Sequence, residues 1–241
     1  MSFFKKIFGK GQEPAQQGTP VSPTAPQTAQ GLLEQYGGIS LDKQRNLYDV
    51  IGDNSWNINM DTGEISFGPD LIFPVQVLGT FSHSSETWLW GWANAQSNIS
   101  PDLLQQALQL KKYGEDHDIG LLKNRDFDAE INDLHLIGMI ASGMFGASAY
   151  YLADYGQGIM VATIKSDVID SVDSIDHVRV STVFPEFISL FEMNHKNAFG
   201  HYATLKGYAV NEDGQQLIAT KEGSRITAAF DDFARLTRLN G

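Results

Sequence analysis

Residues 56–68, "WNINMDTGEISFG", decide the fold. Trp56, Ile58 and Met60 alternate with polar residues. Asp61-Thr62-Gly63 follows, and then Ile65 and Phe67 resume the alternation. A period of two on both sides of a tight-turn tripeptide predicts a β-hairpin. Upstream, "LLEQYGG" and "SLDKQRNLYDVIG" carry the helical period, with Ser40 or Asp42 able to cap the second stretch. The pattern therefore changes from 3.6 to 2 at residues 52–56. Downstream, "LIFPVQVLGTFSH" and "ETWLWGWAN" extend the strands, and Pro74 marks an edge or a bulge. Consecutive strands with short turns predict an antiparallel meander.

After Asn94 the helical period returns. Ser100 as N-cap and Pro101 at the first helical position start a helix ended by Gly114, and a second helix spans about 128–145. A hairpin turns at Gly156-Gln157-Gly158. Helices are expected at about 178–192 and 195–206, then a hairpin at Asp213-Gly214. A last strand follows, whose register is open to a break where two acids follow Phe230. The expected fold class is α+β: an antiparallel β-sheet meander packed against helices on one side, preceded by a disordered N-terminal tail. Residues 1–10 form a basic amphipathic segment, 11–30 a disordered Pro/Gln-rich linker, and 31–241 a single α+β domain.

Composition narrows the function. The chain has 241 residues, a net charge of −12 and no cysteine. The charge disfavours nucleic acid and favours a basic partner. The missing cysteines exclude disulfides, thiolate metal sites and a cysteine nucleophile. No run approaches the roughly 18 apolar residues of a spanning helix. "MSFFKKIFGKGQ" lacks the apolar core of a signal peptide, so a cytoplasmic location is expected. In the same segment Phe3, Phe4, Ile7 and Phe8 share a helical face, interspersed with Lys5 and Lys6. That is the pattern of a weak membrane-surface contact, which would place the protein at the periphery of the inner membrane.

Trp88, Trp90 and Trp92 are three of four tryptophans in the chain. On a strand they point the same way. Their first reading is core packing against the helices near 101–113 and 128–145, with Gly91 admitting a close approach. Their second is a partner or ligand surface made by Trp88, Trp90, Trp92 and Asn94. "VQVLGTFSHSSETWLWGWAN", residues 75–94, with Lys112-Tyr113-Gly114 and Ala149-Tyr150-Tyr151, resembles an uncharacterised bacterial family, domain of unknown function 6882. The resemblance covers roughly residues 45–165. It implies no activity and carries over no catalytic residue.

The residues alone assign no catalytic, cofactor or metal site. The six histidines form no ligand pair, and "GEDHD", 114–118, lacks calcium-loop spacing and reads as a solvated helix end. His135 reads as a satisfied core or boundary histidine. Gly-x-Ser-x-Gly, Gly-x-Gly-x-x-Gly and the phosphate-loop motif are absent. The expected function is a non-enzymatic acidic binding protein, of the immunity or inhibitor type that masks a basic toxin. The alternatives are a membrane-tethered module docking through residues 1–10, and an enzyme using Glu115, Asp116 or His117.

Overall fold

The computed structural model describes residues 28–172 and 176–241. The expectations for residues 1–10, and for the linker as far as residue 27, lie outside the described residues. Thr28 opens the first helix, α1 (Ala29–Ile51), by accepting from Gly31 N at 2.9 Å. The helix thus begins at Ala29, two residues before Gly31. α1 is one continuous helix where two were expected. Ser40 and Asp42 are buried in its middle rather than capping a second helix. The seam between the two stretches contains Gly37 and Gly38. A Cβ on Gly37 would lie 2.3 Å from Phe187 Cζ, and one on Gly38 would lie 2.8 Å from Tyr202 Cβ. These glycines do not break the helix. They let two large rings reach its backbone.

The first sheet contains β1 (Trp56–Asn59), β2 (Glu64–Phe67), β3 (Leu71–Ser82), β4 (Thr87–Trp90), β5 (Asp126–Asp128), β6 (Ala149–Asp154) and β7 (Gly158–Ile164). Every pairing is antiparallel. The hairpin at 56–67 forms as the alternation predicts. Asn59 Oδ1 accepts from Asp61 N and Thr62 N, and Gly63 takes φ +69° to close the turn.

β3 organises the sheet, pairing with β2, β4 and β7. Pro74 lies inside β3 opposite Glu64, and the irregularity falls four residues later. Val77 pairs with Ala162 and Gly79 with Val161, so two residues of β3 face one of β7. That bulge at Leu78 resets the alternation. Val75, Ala162 and Ile164 consequently join Leu47, Ile51, Ile65, Phe67 and Phe73 in a small apolar cluster. Phe81, Val161 and Ile159 join the main core instead.

Helices α2 (Gln105–Asp116), α3 (Gly120–Lys123) and α4 (Ile131–Met144) complete the first half. Pro101 begins a 3-10 turn, Pro101–Leu104, and Ser100 precedes it without a side-chain cap bond; α2 itself runs past Gly114 to Asp116. α4 is apolar nearly all round, and Leu134, Leu136, Ile137 and Ile140 are fully buried. α1 guards the free edge of β6, since Gln44 Oε1 accepts from Tyr150 N at 3.0 Å.

The second half holds α5 (Asp167–Asp170), α6 (Asp176–Leu190), α7 (His195–Leu205) and a four-stranded sheet. Its strands are β8 (Ala209–Asp213), β9 (Gln216–Lys221), β10 (Ser224–Phe230) and β11 (Leu236–Asn240), in the order β11-β10-β9-β8. The expected last strand is therefore two, reversing after Phe230, where Asp231 Oδ1 accepts from Phe233 N and Arg235 N. α6 and α7 pack against both α1 and this sheet. Phe199 meets Phe230 at 6.3 Å between ring centroids.

Candidate functional site

The tryptophans come first. β4 ends at Trp90, and Gly91–Ala93 is a 3-10 turn, so Trp92 leaves the row that a longer strand would have made. Trp88 and Trp90 have no exposed surface and meet edge to face at 5.4 Å. Trp90 Nε1 donates to Leu121 O at 3.1 Å. Trp92 is half-buried beneath Lys111 Nζ, 4.5 Å from the ring centroid. Asn94 Oδ1 accepts from Ser97 N and holds the following turn. The proposed surface of Trp88, Trp90, Trp92 and Asn94 is not brought together, because Trp88 and Trp90 are enclosed. A Cβ at Gly91 would meet the Leu104 side chain, at Cδ2, at 2.6 Å and the Leu78 carbonyl oxygen at 3.3 Å, so the nearest group there is a side chain where a backbone approach was expected.

Buried ionisable groups serve the fold. Asp42 accepts from Tyr202 Oη at 2.7 Å and Lys206 Nζ at 2.6 Å, with Arg179 Nε at 3.7 Å. Lys206 and Lys221 also pair with Asp176. Burial pushes the Asp176 carboxyl up, but the two ammonium groups outweigh it and hold it below the usual range. Tyr202 is raised well above its ordinary value, by burial first and by the Asp42 charge second. Arg179 Nη2 also lies 3.9 Å from Asp49 Oδ2, so three acids meet three bases in a network that links α1, α6, β9 and the C-terminal end of α7.

Glu130 and Asp133 form a reciprocal cap on α4. Asp133 is fully enclosed. Its Oδ2 accepts from Glu130 N at 2.7 Å and its Oδ1 has no partner. Burial raises it from 3.8 to about 6, against the pull of that backbone bond. Between those two values the folded chain holds a proton that the unfolded chain releases. Stability therefore falls as pH rises from about 4 to about 6, by at most roughly 3 kcal/mol. Asp133→Asn is expected to raise the melting temperature at pH 7 and leave it unchanged at pH 4. Thermal scans of both proteins at the two pH values check this.

His135 Nδ1 lies 2.9 Å from Tyr150 Oη, and burial lowers its pKa. Half-buried and hydrogen-bonded, it takes the boundary role of the two expected of it. In the 114–118 segment Lys112 pairs with Asp116, and Lys123 with Asp118. Among the described residues no group of three or more His, Asp or Glu side chains is placed to hold a metal ion.

Open space lies elsewhere. A cleft of about 360 Å³ runs between β3, β7 and α2, lined by Pro74, Gln76, Gln106, Phe145, Thr163 and Lys165. Thr163 Oγ1 donates to Gln106 Oε1 at 2.7 Å. Gln106 N donates to Gln76 Oε1 at 3.3 Å, and Gln76 Nε2 donates to Asp102 O at 2.8 Å. The chain of bonds fixes each amide, as a recognition surface requires. Nothing in the sequence flagged these residues; a glutamine on a strand becomes informative only when the helix that meets it is known.

Pro74 leads from the cleft onto the open face of β1–β3. Asn57 and Asn59 pair across the register with Ser66 and Glu64, and Ile72 with Ser66. Ile72 is 55% exposed. Asp53, Asp61 and Asp70 are exposed in the adjoining turns.

At the far end of β3, His83 Nε2 lies 3.3 Å from both oxygens of Asp154, beside Ser82, Ser84 and Tyr155. The Gly156 N–H, more than His83, holds Asp154 below the usual carboxylate range. Ser82 Oγ and Ser84 Oγ lie 3.1 Å apart, and among the described residues no serine hydroxyl hydrogen-bonds to His83.

Fold and site together define an α+β protein with an open amide-lined cleft beside an acidic sheet face. Residues 30–166 match the family described as a family of unknown function (DUF6882), and the chain belongs to that family. The match takes in α1, the seven-stranded sheet, the tryptophan strand and the amide cleft. No curated protein and no solved structure matches the chain. No helix among the described residues is long and apolar enough to cross a membrane.

Proposed function

We propose that this protein is a non-enzymatic acidic binding protein. Its partner on this reading is a basic protein, of the kind a toxin presents to an immunity or inhibitor protein. One observation carries the reading: residues 46–110 contain seven carboxylates and no lysine or arginine. That stretch builds β1, β2, β3 and β4, and its acids Asp53, Asp61 and Asp70 are exposed in the turns at the two ends of the sheet face that carries the exposed Ile72. An exposed apolar residue on a face whose turns carry one sign of charge suits a partner of opposite charge, through faster capture and correct register. A catalytic role has less support. Asp133 and His135, whose pKa values burial moves, are held by a helix cap and by Tyr150, and neither lines the clefts described above.

The test is capture from extracts of the native cells, with the wild type and with Asp61→Lys/Glu64→Lys/Asp70→Lys. The expected result is one basic protein held by the wild type at low salt, weakened at moderate salt and lost by the triple variant. Equal retention by both proteins would refute the docking face. Recovery of envelope lipid that depends on residues 1–10, with Phe3, Phe4, Lys5, Lys6, Ile7 and Phe8 as contacts, would favour the membrane-docking alternative.

A further inference from the structure

The C-terminal sheet carries a small reversal of sign in an otherwise acidic fold. Among the described residues, Arg225 and Arg238 are the only lysine or arginine side chains that do not pair with a carboxylate. Both are exposed, and both line one depression of about 470 Å³ on the C-terminal sheet. Register explains how they meet. Ile226, Ala228 and Phe230 of β10 are buried against the helices, so Arg225, Thr227 and Ala229 face outward. Ala229 pairs with Arg238 and with Gln216, and Thr227 pairs with Asn240. The two arginines thus stand at opposite ends of a short polar floor made by Thr227, Asn240 and Gln216. Four residues of strand separate their levels, roughly 13 Å.

We infer that this outer face of the C-terminal sheet is a second docking surface, for an extended acidic peptide segment of a partner protein. Charge complementarity selects the occupant. Two guanidinium groups without partners present planar donors suited to carboxylates, and the hydroxyl and amide groups between them suit a peptide backbone. The spacing asks for two separated anionic groups rather than one small ion. A long polyanion such as single-stranded nucleic acid gains affinity from many neutralised phosphates, and here only two cations face a chain of net charge −12. At about 0.15 M salt the acids elsewhere are screened beyond roughly 8 Å, so the local pair dominates. The surface lies outside residues 30–166 and stands independently of the β1–β3 face.

Fluorescence anisotropy of the full chain at about 0.15 M salt tests this, with a fluorescein-labelled peptide of alternating glutamate and glycine as the probe. Saturable binding is expected, weakened about tenfold in Arg225→Gln/Arg238→Gln and unchanged in Asp61→Lys/Glu64→Lys/Asp70→Lys. Thermal melting of the arginine variant, expected to match the wild type because both side chains are exposed, shows that its fold is intact. No saturable binding, or equal binding by the folded arginine variant, would overturn the inference. So would full displacement by millimolar inorganic phosphate, or equally tight binding of single-stranded DNA. Those results would assign the arginines to a free oxyanion or to nucleic acid.

Discussion

Trp90→Ala is expected to lower the unfolding free energy by about 3–5 kcal/mol. The side chain is wholly enclosed, packs edge to face on Trp88, and donates its indole N–H to Leu121 O. Removing it leaves a cavity between β4 and the segment around α3, and it strands a buried carbonyl. Domains of this kind hold about 5–15 kcal/mol in total, so the urea midpoint should drop by a large fraction with little change in slope. Trp92→Ala supplies the contrast. That ring is half-buried and carries Lys111 on its face, so about 1 kcal/mol is expected. Equal and small losses at the two positions would mean that the tryptophans do not build the core.

Asp42→Ala is the second large effect, again about 3–5 kcal/mol. The substitution leaves the buried Tyr202 hydroxyl without its acceptor and strips the nearest carboxylate from Lys206 and Arg179, which keep only Asp176 and Asp49. An N-cap aspartate, the role its sequence position suggested, would cost about 1 kcal/mol, so the size of the loss separates the two accounts. Adding Tyr202→Phe to Asp42→Ala should recover part of the loss, because it removes the stranded buried hydroxyl. Urea unfolding of the single and double variants measures both. A double variant less stable than Asp42→Ala would contradict this reading of the network.

Local patterns carried the fold as far as local causes reach. The hairpin at 56–67 was legible because alternation, turn tripeptide and alternation are contiguous. The hairpin around Gly156–Gly158 and helix α7 were legible for the same reason. The continuity of α1 was not, since Gly37 and Gly38 look like a break until Phe187 and Tyr202 are seen to occupy the space they leave. Nor was the bulge at Leu78 legible, because every residue from Val75 to Phe81 suits a strand, and only the β7 register shows that one is extra. The end of β4 at Trp90 turned one tryptophan row into two buried rings and one partly covered ring. The candidate sites were less legible than the fold. Gln76, Gln106 and Thr163 converge from three elements, and Arg225 and Arg238 from two strands, with no motif linking either set.

The central claim is that the acidic face of β1–β3 docks a basic protein. Hydrogen–deuterium exchange of the full chain, alone and with the basic protein captured from its cells, tests that claim most directly. Slowed exchange is expected over residues 53–76, centred on Ile72, and fading as salt is raised. Protection confined to residues 1–10 or to β9–β11, with residues 53–76 exchanging as in the free protein, would contradict it.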